Sequence, residues 1–239
     1  MASDQDTMYV GYLPIPTPHR RFTKAVFGCL LLFALGVGFV SAWYFDDPGS
    51  GVWASDVSEI EGVLRLDPVT FVETPGGPVL LVEIGKFGAR GLDDLHDTTV
   101  RCSGTLLERE GRRMLELLAG DAGVASIAAV QRPSSAEGEG RAVVVTGEII
   151  DTKCFLGAMK PGTGRGHAAC ARLCIRGGIP AAIAGRDDNG ERVWAVIDPG
   201  ESGVIAEPLL EAVGEPVQIA GTLVERDGLP VIEGVQLLR

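Results

Sequence analysis

Apolar and polar residues alternate along most of this chain with a period near two, the signature of strands with one buried face. "RAVVVTGEIID" (141–151), "ERVWAVID" (191–198), "EPVQIAGTLVERDG" (215–228) and "LPVIEGVQLL" (229–238) all follow it. An earlier stretch repeats the sequence of patterns: "IEGVLRLDPVTFVE", "GPVLLVEIG", a loop with "GLDDLH", "TTVRCSGTLLERE" and "RRMLELLA". "AEPLLEAVG" (206–214) breaks to a helical period, with Gly214 placed as its C-terminal stop.

The two strand-rich stretches are related. "VRCSGTLLEREG" (100–111) aligns with "VQIAGTLVERDG" (217–228) at an offset of 117, with seven of twelve positions identical. At their front edges, Gly62 of "EGVLRLD" aligns with Gly147 of "TGEIID" at an offset of 85. The 32-residue difference between the offsets places an insertion in the second copy. A duplicated unit of four or five short strands, with a helix before the fourth, predicts two OB-like barrels, small Greek-key folds. Another small β-barrel or sandwich is the competing architecture. Gly104 and Gly221 interrupt equivalent strands, as a bulge or barrel bend requires.

One segment has neither period. "AVFGCLLLFALGVGFVSAWYF" (25–45) runs 21 residues without a charge, and about 20 apolar residues span a bilayer core. Arg20, Arg21 and Lys24 precede it, and Asp46 and Asp47 follow. The positive-inside rule therefore predicts a cytoplasmic N-terminus and an extracytoplasmic remainder, with Trp43, Tyr44 and Phe45 at the outer interface. A cleaved signal peptide is the alternative, but the run exceeds the usual apolar region and Ser41-Ala42-Trp43 is a poor cleavage site. Cys29 falls within the span, and Gly36 and Gly38 do not form GxxxG.

The expected organisation is thus a mainly β protein: a cytoplasmic tail (1–24), a transmembrane helix (25–45), a linker (46–57), a first OB-like domain (58–130), a second linker (131–140) and a second OB-like domain (141–239). The second carries a helical Cys/His insertion over about 152–180. Net charge is -11, most of it in residues 46–140. That acidity excludes nucleic acid as a partner, since phosphate binding needs a basic face.

Candidate chemistry concentrates in the insertion. "DTKCFLGAMKPGTGRGHAACARLC" (151–174) holds three of the five cysteines. "RGHAACARLCIRGG" predicts a helix stopped by Gly177-Gly178, on which His167, Cys170 and Cys174 share a face. The glycine-rich loop lets Cys154 approach them. Cys154, His167, Cys170 and Cys174 would then form a tetrahedral Cys3His site for a zinc, copper or iron ion, with Asp151 orienting His167 from outside. The spacing matches no standard zinc finger. A disulfide from Cys154 to Cys170 or Cys174 suits an extracytoplasmic domain equally, and a reactive thiol is the third reading. Neither CxxC nor CxxCH is present, and "KPGTGRGH" lacks P-loop spacing. Asp93-Asp94 and Asp187-Asp188 are expected as solvated turn residues, and Cys102 as a buried core residue.

These residues resemble a motif of bacterial membrane-anchored proteins with an extracytoplasmic OB-like domain: G-x-(I/V)-x-D-x-x-C, then H-x-x-C-x-x-x-C, then a glycine turn. Here the motif falls on Gly147, Asp151, Cys154, His167, Cys170, Cys174, Gly177 and Gly178, and the likeness covers about 141–239. It implies an exported barrel with a Cys/His centre and supplies no activity. Three functions follow as expectations. The first is a membrane-anchored extracytoplasmic binding or accessory protein with a bound metal. The second is a structural subunit of a larger inner-membrane complex, with a disulfide staple and other membrane-protein subunits as partners. The third is a thiol oxidoreductase. No catalytic motif supports an enzyme.

Overall fold

The computed structural model describes residues 17–44, 51–128 and 138–238. The segment "YVGYLPIP", most of residues 1–24, Phe45, Asp46, Asp47 and residues 131–137 of the second linker lie outside the described residues.

The chain divides into two units, residues 1–48 and 49–239. In the first, helix α1 (Thr17–Tyr44) runs 28 residues. Its His19–Trp43 portion has a mean hydropathy of 2.3 and is unburied by protein. A helix of this length and composition is long and apolar enough to cross a membrane.

The second unit contains two closed five-stranded barrels. The first is built from β1 (Val52–Arg65), β2 (Phe71–Thr74), β3 (Gly77–Val82), β4 (Thr99–Arg109) and β5 (Arg112–Leu117). Strand β6 (Val124–Ala128) is appended to β4. Around the barrel the order is β1-β2-β3-β5-β4, closing on β1, with β3 and β5 parallel. The second barrel uses β7 (Arg141–Asp151), β8 (Ala181–Asp187), β9 (Arg192–Ile197), β10 (Pro216–Arg226) and β11 (Leu229–Leu237). Its order is the same, with β9 and β11 parallel. Between β7 and β8 lies helix α2 (Ala168–Arg176), and before β10 lies α3 (Glu207–Glu211). The order and the position of α3 are those of an OB-like barrel.

The strand registers carry both sequence offsets. Ser58 pairs with Gly104 and Gly62 with Val100; Val143 pairs with Gly221 and Gly147 with Val217. A Cβ on Gly104 would come against the Glu116 carbonyl oxygen, and one on Gly221 against that of Glu233, the residue 117 positions later. The repeated glycine therefore answers a repeated close approach of strands. Most of the length difference sits in one connection: residues 66–70 join β1 to β2, whereas 152–180 join β7 to β8. Strand β1 begins at Val52, inside the stretch whose composition suggests a linker. A register shift between Trp53 and Val57 breaks its alternation there, so the strand reads as polar coil.

Three apolar cores hold this unit together. Leu64, Val79, Leu81, Cys102 and Leu115 fill the first barrel. Val145, Ile149, Ile183, Ala195 and Ile219 fill the second. Phe71, Leu80, Val82, Leu107 and Met114 face outward from the first barrel into a shared core with Ile150, Leu156, Trp194, Val196 and Val231. Strands β3 and β9 are thus buried on both faces, with successive residues assigned to different cores. Polar contacts seal the seam. Buried Arg65 meets Glu73 and Asp97 at 2.7 Å each and reaches Asp227 of the second barrel at 3.3 Å.

A candidate metal centre beside the barrel seam

The Cys/His insertion leaves β7 at Asp151, which is wholly buried. A buried carboxylate needs partners, and this one has two. Its Oδ1 accepts the Cys154 backbone N–H at 2.8 Å. Its Oδ2 lies 3.0 Å from His167 Nε2. Residues Cys154–Ala158 then form a wide π-type turn, opened by Gly157 at φ 149°. The loop that follows is pinned where the Gly164 N–H donates to Glu148 at 2.6 Å. The stem closes where the Thr152 hydroxyl donates to the Pro180 carbonyl at 2.9 Å.

Helix α2 ends at Gly177, as the sequence predicts, but begins just after His167, which caps the helix instead of lying on its face. Cys170 and Cys174 are one turn apart on it, Cys170 half-buried and Cys174 buried. Cys154 comes to them from the π-type turn. The three Sγ atoms lie within 4.8 Å of one another, close enough to hold one metal ion. A second set, Asp151, Cys154 and His167, meets the same distance limit and is entirely buried. Cys154 belongs to both. His167 thus stands beside Asp151 and Cys154, while Cys170 and Cys174 complete the sulfur set without it. All five cysteines are free thiols, so no disulfide staples the insertion in this structure.

The first barrel contributes what sequence reading missed. The connection from β3 to β4 carries Lys86, whose Nζ donates to Cys170 Sγ at 2.8 Å and to Cys174 Sγ at 3.4 Å. The approach depends on glycine. A Cβ on Gly177 would overlap the Lys86 carbonyl oxygen, and the Gly88 N–H donates to the Gly177 carbonyl at 3.0 Å. Lys153, beside Cys154, is buried and reaches back: its Nζ pairs with Glu116 and donates to the Glu83 and Gly85 carbonyls at 2.9 and 2.7 Å. Arg109 of β4 stacks on the Phe155 ring at 4.1 Å and donates to the Phe155 carbonyl at 3.2 Å. A lysine between glycines in "IGKFG" has no sequence signal that separates it from a solvated turn.

Electrostatics divides the sulfurs. The hydrogen bond from Cys154, helped by Lys86, outweighs burial and draws the Cys174 thiol down to about 7. Its partner Cys154 is driven up by the same bond, by burial and by the nearby Asp151 carboxylate. The two thiols therefore titrate as one coupled pair, with Cys174 the easier to ionise. A cavity of about 220 Å³ opens over the three sulfurs, walled also by Lys86, Lys153, Met159, Trp53 and Ile84. The site can supply thiolate, carboxylate and imidazole donors to a cation, and it can present a nucleophilic sulfur to the cavity.

Asp187 ends β8 and is buried rather than solvated, because its Oδ1 accepts the Asn189 and Glu191 N–H groups and its Oδ2 meets Arg141 at 3.3 Å. Cys102 lies in the first barrel's core, where burial lifts its thiol to about 12. Searches of protein-family models, characterised proteins and solved structures find no match to this chain.

Proposed function

We propose that this is a single-pass, membrane-anchored accessory protein that binds one thiophilic metal ion outside the cytoplasm through Cys154, Cys170 and Cys174. The convergence of three sulfurs within 4.8 Å in a cavity walled by both barrels carries the reading. Thiolates are strong ligands for soft and borderline metals. The Asp151–His167 pair supports Cys154 from behind: the carboxylate fixes the Cys154 backbone and holds the imidazole at 3.0 Å. The export of the barrels rests on the basic residues before α1 and the acidic ones after it.

Metal analysis tests the site. The full chain, purified in detergent under reductant, should carry or take up about one equivalent of metal. A triple Cys154→Ser, Cys170→Ser, Cys174→Ser variant should take up none. Equal uptake by both proteins sinks the proposal. A redox role has one observation in its favour, the Cys154–Cys174 thiol contact. It predicts instead that mild oxidation closes that pair with loss of two free thiols and that no metal is retained.

A further inference from the structure

We infer that the ion is soft and singly charged, copper(I), held by three sulfurs, and that Met159 serves its passage to and from the site. This rests on the metal reading above and specifies which ion that reading admits.

The donor geometry is the first ground. A zinc site takes four ligands, or three with a water at an open position. Two nitrogen-bearing side chains stand beside the sulfurs, and neither belongs to the three-sulfur set. The His167 ring is engaged with the Asp151 carboxylate at 3.0 Å and stands outside the three-sulfur set. On another side, Lys86 Nζ lies 2.8 Å from Cys170 Sγ, and an ammonium is a donor only, with no lone pair for a metal. What remains is an all-sulfur, three-cornered set. Copper(I) is content with two or three soft ligands and has no geometric need of a fourth.

The cavity is the second ground, independent of the first. Met159 lines it together with the three cysteines and is 48% exposed. A thioether is a neutral, soft ligand that binds copper(I) and has little affinity for zinc. Trp53 and Ile84, both more than 40% exposed, complete an apolar mouth. A hydrated divalent ion gains nothing from such walls. A weakly hydrated monovalent ion handed from sulfur to sulfur passes them at little cost. Met159 at the rim and the thiolates beneath form a path of soft donors from solvent to the buried site.

The test uses the reduced, detergent-solubilised full chain, titrated anaerobically with copper(I) against bathocuproine disulfonate and with zinc against a pyridylazo-resorcinol indicator. One copper(I) per chain is expected, with an X-ray absorption edge typical of three sulfur neighbours, and zinc should be displaced by copper(I). Each single Cys→Ser variant at 154, 170 or 174 should lose more than about 100-fold in copper(I) affinity, beyond what loss of an outer partner costs, whereas His167→Ala should lose less than about tenfold. Met159→Leu should leave the equilibrium affinity unchanged but slow transfer to bathocuproine several-fold, and an unchanged rate removes Met159 from the path. Near-ultraviolet circular dichroism confirms that each variant is folded. If the protein holds zinc through a nitrogen neighbour that His167→Ala abolishes, the copper inference falls and the metal site stands. If folded protein retains neither ion, both fall.

Discussion

Lys153→Met is the sharpest probe of how the insertion is fixed to the first barrel. The Lys153 side chain is 4% exposed and its Glu116 partner 12%. An ammonium has three protons to donate, and all three are used: on Glu116, on the Glu83 carbonyl and on the Gly85 carbonyl. Methionine keeps the apolar stem and removes the charge. It strands a largely buried carboxylate and leaves two carbonyls without that donor. Removing one member of a buried pair costs about 3–5 kcal/mol. In a unit of this size that corresponds to a drop in melting temperature on the order of 10 °C.

A second substitution separates the charge from the packing. Lys153→Met with Glu116→Leu removes both charges, which for a buried pair is often close to neutral. Only the two carbonyls then stay unpaired, at about 1–3 kcal/mol each at most. The double variant should therefore be more stable than Lys153→Met alone, with a coupling energy of about 2 kcal/mol. Urea titration of the full chain in detergent, followed by tryptophan fluorescence, measures all three proteins. Additivity of the two single effects within about 0.5 kcal/mol, the behaviour of independent sites, would falsify the claim that this pair locks the insertion to the first barrel.

Two further outcomes follow from single residues. Gly177 has φ -80°, which alanine adopts freely. The cost of Gly177→Ala therefore comes from the overlap with the Lys86 carbonyl alone, about 1–3 kcal/mol as for overpacking. Displacing Lys86 should also speed alkylation of Cys170 in the metal-free protein, and an unchanged rate would show that Lys86 does not cover it. Cys102 gives an alkaline signature. Its thiol is lifted from 9.0 to about 12 in the fold, so the unfolded chain loses the proton first and stability falls as pH rises from about 9 to about 12, by up to about 4 kcal/mol. Cys102→Ala should flatten that slope in urea titrations, and an unaltered slope would refute the assignment.

The sequence pattern anticipates the barrels because their constraints are local. Period-two alternation marks one buried face, and the twin G-T-L stretches mark one strand used twice. Both offsets between the copies return as strand registers, Gly62 opposite Val100 and Gly147 opposite Val217. The α2 face is legible for the same reason: helical spacing alone puts Cys170 and Cys174 side by side. Asp151 as the partner of His167 is also anticipated, since a carboxylate at the end of a strand beside the cluster has few other uses. Where the reading stops is where contacts become long-range. Nothing in "IGKFG" says that Lys86 will reach sulfurs more than eighty residues away. The imidazole likewise goes to the carboxylate rather than to all three sulfurs, a choice settled by three-dimensional placement.

The packing of one barrel on the other did leave a trace. A strand buried on one face alternates, whereas one buried on both is apolar throughout. "PVLLV" (78–82) and "VWAVI" (193–197) are such runs, and their residues do divide between barrel interior and shared core. Two continuous apolar strands, one in each copy, are what a duplicated barrel needs in order to bury one copy against the other. The same packing accounts for the asymmetry of the repeat. The second copy carries the thiols on a long connection whose α2 packs on that copy through Ala171 and Ile175, while its other side needs a surface of its own. The first copy lacks the insertion and supplies that surface instead, through Lys86, Arg109 and Glu116. Each of these side chains meets a different part of the insertion, respectively α2, the π-type turn and Lys153 just beyond β7. A site that keeps three sulfurs within 4.8 Å of one another needs its backbone held from several directions, and the duplication provides the second direction.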